Sequence, residues 1–146
     1  AIEDRESEAR KCYSGIEELD SQSFKRMLLL DGAFIVEFLC RIYQYRKEDC
    51  LIPHCPIPGN EKTSIEVGQD LLLLENQQPF FILEDLFNCT FENHTGRFPM
   101  LAYIILRSYS PLTGEDYLPE EQVMQRTLQG KVNHLLHLLR ICGLDV

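Results

Sequence analysis

The stretch 70–87 constrains this chain more than any other, because it reads DLLLLENQQPFFILEDLF. A leucine block at 71–74 is followed by a polar tetrad at 75–78, and Pro79 then opens a second apolar run. From Phe80 onward the spacing of the apolar residues fits the helical repeat better than strict alternation. The stretch therefore predicts two apolar helical segments that meet at a polar corner and are buried on most sides.

The polar corner contains signals that place a helix boundary. Pro79 has no amide hydrogen, so it is tolerated best in the first turn of a helix, where that donor would lack a partner anyway. Asn76 is a good N-cap residue and would put Pro79 at the third helical position. Carboxylates are the only reactive side chains here, so we expect a structural motif rather than an active site. Its members are Asp70, Glu75, Asn76, Gln77, Pro79 and Phe80.

The same stretch closely resembles the plant family known as domain of unknown function 247. In that family an aspartate, a run of leucines, Glu-Asn-Gln and a proline precede paired phenylalanines. Other motifs of the family match in the same order: ARKCY at 9–13, MLLLDGAFIVEF at 27–38 and HLLHLLR at 134–140. Together these motifs span nearly the whole chain, so the resemblance identifies the family. It brings no established chemistry onto the matching residues.

The chain departs from the family in several places. Ala33, Gln78 and His137 stand where the family usually has a cysteine, an aliphatic residue and an aspartate. The family's opening segment and its C-terminal part, with a membrane span near the end, are absent, so the chain looks like a truncated or trimmed member. The resemblance implies that the intact protein is membrane-associated through a segment absent here, with the plasma membrane favoured, while this chain by itself is soluble.

The resemblance also implies a function. Some relatives resemble pollen-side determinants of self-incompatibility in grasses that act with small secreted proteins. The resemblance therefore implies non-enzymatic protein–protein recognition or signalling in reproductive compatibility, with a small secreted protein or peptide as partner. The formal charge of −9 argues against a nucleic-acid partner, because phosphate binding is driven by clusters of Lys and Arg. It also disfavours an anionic membrane surface, whereas a cationic peptide would be compatible with it.

The segment after Asp20 predicts a long helix. Asp20 is a helix-cap residue, and Leu19 and Phe24 occupy the positions of a hydrophobic staple. The helix would run to about Tyr43 and bury one apolar face. That face comprises Phe24, Met27, Leu28, Phe34, Ile35, Phe38, Leu39 and Ile42.

Asp31 falls on that predicted apolar face, beside Gly32. An unpaired buried carboxylate would be costly. One interpretation is an acid with a shifted pKa in a pocket. The favoured interpretation is a helix interruption or cap, where Asp and Gly pair with the backbone. Asp31 and Gly32 are therefore added to the predicted structural motif.

Prolines and glycines remove every regular period between Tyr45 and Gly68, so we predict one long irregular loop at about 45–69. Helical spacing returns afterwards, and alternation typical of strands is absent. The sequence therefore predicts an all-α fold, a compact multi-helix bundle with one long Pro- and Gly-containing loop. Its 146 residues suit a single helical domain, 1–146, or a fragment of a larger helical domain.

The loop contains the first candidate site, formed by Cys50, His54 and Cys55. Structural zinc usually takes a complete tetrahedral set of ligands in paired short spacings, whereas one cluster stands alone here. The favoured interpretation is ordinary loop residues, or partners in a disulfide if the compartment is oxidising. The alternative is a metal-dependent regulator or hydrolase that uses this loop.

His134 and His137 form the second candidate, because residues three apart lie on adjacent faces of one helical turn and could share a metal. No acidic residue lies between them in a metalloprotease pattern. We expect both instead at the boundary of the apolar stripe, near the C-terminal end of their helix, where a cation is mildly favoured.

Catalytic signatures are missing from the sequence. Any of the six cysteines could act as a nucleophile with His94 or His134, but no local pattern selects one. Neither a nucleophile elbow nor a phosphate-binding glycine loop occurs. We therefore expect no enzymatic activity, no cofactor and no metal site.

Asn88 and Asn93 each begin an N-x-[ST] sequon in a short polar segment, 88–96, that we predict to be an exposed loop. The two asparagines are candidate glycosylation sites. They would be used only if this part of the protein faces the secretory lumen.

Overall fold

A computed structural model describes residues 2–47, 61–73, 76–91, 100–113 and 118–144. The described residues form helices joined by turns, and no strand occurs among them, which confirms the all-α prediction. The helices are α1 (Ile2–Arg10), α2 (Ser21–Lys47), α3 (Glu61–Asp70), α4 (Phe80–Phe91), α5 (Leu101–Thr113), α6 (Glu120–Gln129) and α7 (Leu135–Ile141). No helix in these ranges combines the length and the apolar character needed to cross a membrane.

α2 is the longest helix and packs against α1, α4 and α5. Its start is the predicted one, because the Ser23 amide donates to Asp20 Oδ1 at 2.9 Å and the Ser23 hydroxyl donates to Asp20 Oδ2 at 2.6 Å. These bonds satisfy a backbone donor that the first turn would otherwise leave free, and they lower the pKa of the Asp20 carboxyl. The helix continues past the predicted end at Tyr43 to Lys47.

The predicted interruption at Asp31 and Gly32 is wrong, since α2 passes through both residues unbroken. Asp31 is exposed, at the edge of the buried face, so the pocket interpretation is wrong as well. Gly32 is buried because α4 approaches α2 closely here: a Cβ at Gly32 would lie 2.4 Å from Leu86 Cδ1. The glycine therefore serves helix packing rather than helix termination. Phe34, predicted to be buried, is 54% exposed.

The predicted loop at 45–69 is shorter than expected, because 45–47 belong to α2 and 61–69 belong to α3. Gly68, interpreted as loop punctuation, lies in the last turn of α3. Its carbonyl accepts the hydroxyl of buried Tyr109 at 2.8 Å, which fastens α3 to α5. The remaining loop positions, 48–60, lie outside the described residues.

Two apolar clusters form the core. The larger joins α2, α4, α5, α6 and α7, and its fully buried members include Leu39, Ile104, Ile105, Leu138 and Leu139. The smaller lies under α1 and consists of Ala9, Phe24, Leu28 and Ile82. α2 and α4 contribute to both clusters, and Leu86 packs against both. These two helices are therefore the shared walls of the fold.

Arg10 is one of the side chains that attach α1 to the rest of the fold. Its guanidinium donates to Glu6 Oε1 at 2.9 Å and to the Leu19 carbonyl at 2.9 Å, and it lies 4.5 Å from the centre of the Phe24 ring. One side chain thus connects α1, the turn after it and the first turn of α2. The Arg10 guanidinium therefore covers the Phe24 ring at the outer edge of the smaller cluster.

Candidate functional site

The polar corner after α3 is a turn and not a junction of two helices. Leu71 still bonds helically to the Val67 carbonyl at 3.0 Å, but Leu73 bonds to the Asp70 carbonyl at 3.1 Å, and Leu73 is 45% exposed. The prediction that the leucine block is helical is therefore wrong for residues 71–73, which form a turn. The predicted burial is wrong for Leu73, whereas Leu71 and Leu72 are partly buried against the larger core cluster. The reason is that the side-chain amides of Asn76 and Gln77 donate hydrogen bonds to the carbonyls of Asp70 and Leu71, where α3 ends.

Asn76 caps the helix before it rather than the helix after it. Its Nδ2 donates to the Asp70 carbonyl at 2.8 Å, which satisfies one of the free acceptors at the C-terminus of α3. α4 begins at Phe80, and the Pro79 carbonyl accepts the first helical bonds. The predicted cap role of Asn76 is wrong because an amide side chain can donate as well as accept. Pro79 consequently precedes the helix instead of occupying its third position.

Gln77 connects the turn after α3 with α7. Its Nε2 donates to the carbonyls of Leu71 and Leu73, at 2.7 and 2.9 Å. Its Oε1 accepts the Leu136 amide at 3.1 Å, and that amide belongs to the first turn of α7. A backbone hydrogen bond adds a further link between the start of α4 and the segment before α7, since the Phe80 amide donates to the Asn133 carbonyl at 2.8 Å.

Gln78 extends this corner into the core. It is 5% exposed, and its Nε2 donates to the Leu28 carbonyl of α2 at 2.8 Å. Its Oε1 lies beside Gly32 and has no hydrogen-bond partner among the described residues. Sequence reasoning noted Gln78 only as a departure from the family. The hydrogen bonds of the Asn76, Gln77 and Gln78 side chains all go to backbone groups, so the corner ties helices together. Glu75 lies outside the described residues.

His134 and His137 lie at the N-terminus of α7, so their predicted place near the C-terminal end is wrong. The helix starts only at Leu135, because the chain is extended at Gly130 and at His134. His134 Nδ1 accepts the His137 amide at 3.2 Å, and His137 Nδ1 accepts the Asn133 amide at 3.1 Å. The two rings thus form a reciprocal cap. Burial, followed by the influence of His137 and Arg140, lowers the pKa of His134.

This reciprocal cap occupies both Nδ1 atoms, and the ring centres lie 6.0 Å apart. Across the described ranges, no group of three or more His, Cys, Asp and Glu side chains is placed to hold a metal ion. The loop candidate, Cys50 with His54 and Cys55, lies outside those ranges and stays a prediction. Buried thiols are in apolar surroundings, and burial raises the pKa of Cys40 to about 12, which disfavours its reactive thiolate form.

The first sequon lies on a helix. Asn88 is exposed as predicted, but α4 continues to Phe91, so the predicted loop is wrong for residues 88–91. The hydroxyl of Thr90 donates to the Leu86 carbonyl at 2.7 Å, and this bond helps to keep the sequon helical. Asn93 lies outside the described residues. The use of either asparagine for glycosylation stays a prediction.

α6 presents an apolar stripe that sequence reasoning missed. Met124 is 44% exposed and Leu128 is 78% exposed, and one helical turn separates them on the same face. Exposed Glu120 and Glu121 flank this stripe at its N-terminal end, while Val123 on the opposite face is fully buried. We call Glu120, Glu121, Met124 and Leu128 the α6 surface. Its signal in the sequence is a helix with apolar residues on both faces, whereas a helix that packs on one side only would carry them on one face.

Comparison with known proteins places the chain in a family. A family model, DUF247, described as a plant protein of unknown function, matches residues 1–145. The chain belongs to the DUF247 family. Its all-helical architecture, its polar corner and its capped α7 are therefore features of a DUF247 chain.

Curated relatives of this DUF247 chain come from Arabidopsis thaliana. Putative UPF0481 protein At3g02645 is 25% identical over 141 residues, which cover 94% of this chain and 25% of the relative. UPF0481 protein At3g47200 is 35% identical over 88 residues, which cover 60% of this chain and 17% of the relative. The DUF247 chain thus spans a quarter or less of these relatives. No solved structure matches it.

Proposed function

We propose that this chain is a non-enzymatic recognition and signalling module of a plant membrane-associated protein, and that a protein partner docks on the α6 surface. The observation that carries the proposal is the exposure of Leu128, which at 78% is the most exposed large hydrophobic residue described. Leu128 and Met124 form one contiguous apolar patch with polar residues at its rim, and patches of this kind, when large enough, mark protein–protein interaction sites.

The chemistry of the α6 surface indicates the kind of partner. Met124 and Leu128 form an apolar centre, and methionine adapts readily to different partner shapes. Glu120 and Glu121 supply a negative rim, which would steer and orient a cationic partner. The net charge of −9 for the whole chain acts in the same direction. A small secreted protein or peptide with a basic amphipathic segment would fit both features.

The biological setting is part of the proposal. Resemblance to pollen-side determinants of grass self-incompatibility supports a role in reproductive compatibility. Membership of a plant family agrees with that setting at the coarser level. We propose that the intact protein is held at the plasma membrane by a segment absent from this chain, and that the α6 surface is presented to the partner there.

The test replaces the apolar centre of the α6 surface. Bait protein with a photo-crosslinking residue at Gln125, beside the stripe, is irradiated in pollen and pistil extracts, and crosslinked partners are identified by mass spectrometry. Leu128→Glu should abolish the crosslink, because it removes the apolar contact from the complex. Binding would also have to strip water from the new carboxylate. Leu30→Glu is the matched control, since it makes the same change on exposed α2.

The proposal is supported if one basic partner is recovered with the wild-type chain and with Leu30→Glu, but not with Leu128→Glu. It fails if no specific partner is recovered, or if both substitutions weaken the crosslink equally. Circular dichroism of each variant shows whether the helical fold is intact.

A further inference from the structure

α2 carries a second apolar surface, separate from α6. Leu29, Leu30 and Phe34 are 47%, 58% and 54% exposed, and Ala33 between them is exposed as well. The opposite face of α2 is filled by the core residues Leu28, Ile35 and Leu39. The exposed residues therefore do not belong to the contacts that α2 makes with α1, α4 and α5.

The residues on this surface are arranged symmetrically along the helix. The midpoint between Asp31 and Gly32 is equally distant from Leu30 and Ala33, and from Leu29 and Phe34. It is also equally distant from Arg26 and Glu37, which are exposed at the two ends of the same surface. We call the set Arg26, Leu29, Leu30, Ala33, Phe34 and Glu37 the α2 surface. An antiparallel second α2 would place each residue of these pairs opposite its counterpart.

Charge decides the direction of pairing. In an antiparallel pair Arg26 of each copy faces Glu37 of the other, whereas a parallel pair would bring like charges together at both ends. Glu37 already holds an ion pair with Arg41 of its own helix. Arg26 pairs with no carboxylate in the part of the chain that the structure describes. A second copy supplies that carboxylate, and a uniformly acidic or basic partner would match only one end.

We propose that the α2 surface binds a second copy of this chain in an antiparallel, two-fold symmetric helix pair. Ala33 next to the axis lets the two backbones approach closely, and Leu30 of each copy packs over Ala33 of the other. Leu29 and Phe34 close the two sides of this contact. The matching surface is used twice, as a closed symmetric dimer requires.

The size of the surface sets the expected strength. The residues from Arg26 to Glu37 extend over about 18 Å of helix, at 1.5 Å per residue. One such helix face is smaller than the roughly 800 Å² that each partner buries in a standard interface. The dimer should therefore be weak and reversible, with a dissociation constant of roughly 100 μM. The proposal is independent of the partner proposed for the α6 surface.

Sedimentation equilibrium of the whole chain between about 10 and 500 μM tests the proposal, because this range brackets the expected dissociation constant. Leu30→Glu should raise that constant at least about 10-fold, since it places two carboxylates near the axis. Leu128→Glu, the matched change on α6, should leave it within about 2-fold. Circular dichroism checks that each variant is folded.

A charge exchange gives a second readout that a merely destabilised variant could not imitate. Arg26→Glu and Glu37→Arg should each weaken the dimer about 3-fold or more, because like charges then meet at both ends. The double variant and an equimolar mixture of the two single variants should both return to the wild-type constant. A wild-type chain that stays monomeric, equal effects of Leu30→Glu and Leu128→Glu, or a double variant no better than the single ones would overturn the proposal.

Discussion

Gly32 is the residue on which the close packing of α4 against α2 depends. A Cβ there would lie 2.4 Å from Leu86 Cδ1 and 3.1 Å from Gln78 Nε2. Leu86 is partly buried and packs against both core clusters, so a shift of its side chain would alter contacts in both. The sequence shows a glycine beside an aspartate, a pair that is also typical of a helix end. Its packing role could not be predicted because it depends on where α4 lies.

Gly32→Ala should lower the free energy of unfolding by about 1 kcal/mol, because overpacking of the helix contact costs about 1–3 kcal/mol and the higher helix propensity of alanine offsets about 1 kcal/mol of that cost. Gly130→Ala is the matched control. A Cβ at Gly130 meets nothing within 4 Å, and the backbone there is extended with φ −138°. The control should be close to neutral. Urea unfolding of both variants checks this, and equal stabilities would contradict the assignment.

The side-chain amide of Gln78 is buried, and only its Nε2 has a hydrogen-bond partner among the described residues. Replacing it with methionine, which has a similar length, removes the unpartnered Oε1 as well as the bond to the Leu28 carbonyl. Gln78→Met should therefore change the free energy of unfolding by less than about 1 kcal/mol. Gln78→Glu should cost roughly 3 kcal/mol or more at neutral pH, since it buries an unpaired carboxylate. Urea unfolding compares the two, and a larger loss in Gln78→Met would refute this account.

At the scale of the element, α7 depends on caps from outside itself. It is a seven-residue helix, too short to be stable alone. Its first turn is capped by His134 and by Gln77, which comes from the polar corner. The apolar residues of α7 could be predicted from their spacing. Its start could not, because histidine is an uncommon cap and the Gln77 contact joins residues 59 positions apart.

The histidine cap predicts a pH dependence of stability. Burial lowers the pKa of His134 below its ordinary value of 6.5, so the unfolded chain takes up the proton more readily than the folded chain. The stabilisation is complete above pH 6.5 and is lost as the pH falls through the folded pKa. His134→Asn keeps a capping side chain that does not titrate, so it should lose less stability than the wild type between pH 7.5 and about 5. Urea unfolding across this range measures the difference, and parallel curves would contradict the role of the ring.

α3 shows why one whole element escaped sequence reasoning. It contains Gly68, and its apolar residues, Ile65 and Val67, are two positions apart and so do not form a helical stripe. Its position is fixed from outside, by the Tyr109 hydroxyl and by the Asn76 side chain. Long helices such as α2 reveal themselves by their period. A short helix held by distant hydrogen bonds gives no comparable local signal.

For the molecule as a whole, the fold class followed from helical spacing in the long apolar segments, whereas the surfaces did not. Leu30 and Phe34 have the same residue types as the core, and only the positions of α1, α4 and α5 leave them exposed. The α6 surface was hidden for the same reason. Exposure is a property of the assembled helices, so it cannot be obtained from the residue types along one of them.

Metal content is a property of the whole chain that can be measured directly. Cys50, His54 and Cys55 form one ligand cluster without a second one at the paired spacing that zinc sites show. We expect less than about 0.1 zinc per chain by elemental analysis of protein purified without chelators, and no change in thermal unfolding when a chelator is added. Stoichiometric zinc that stabilises the fold would favour the metal-dependent alternative. Cys50→Ser would then be expected to release it.

The two core clusters should unfold together, because α2 and α4 form walls of both. Ile82→Ala in the smaller cluster and Leu138→Ala in the larger should each cost about 2–5 kcal/mol, since both side chains are fully buried. Each change should shift one common transition, followed by NMR signals of Tyr13 for the smaller cluster and Tyr109 for the larger. Leu128→Ala on the surface is the control and should shift it little. If Ile82→Ala moved only the Tyr13 signals, α1 and its cluster would be a separate cooperative unit, and α4 would not couple the two halves of the core.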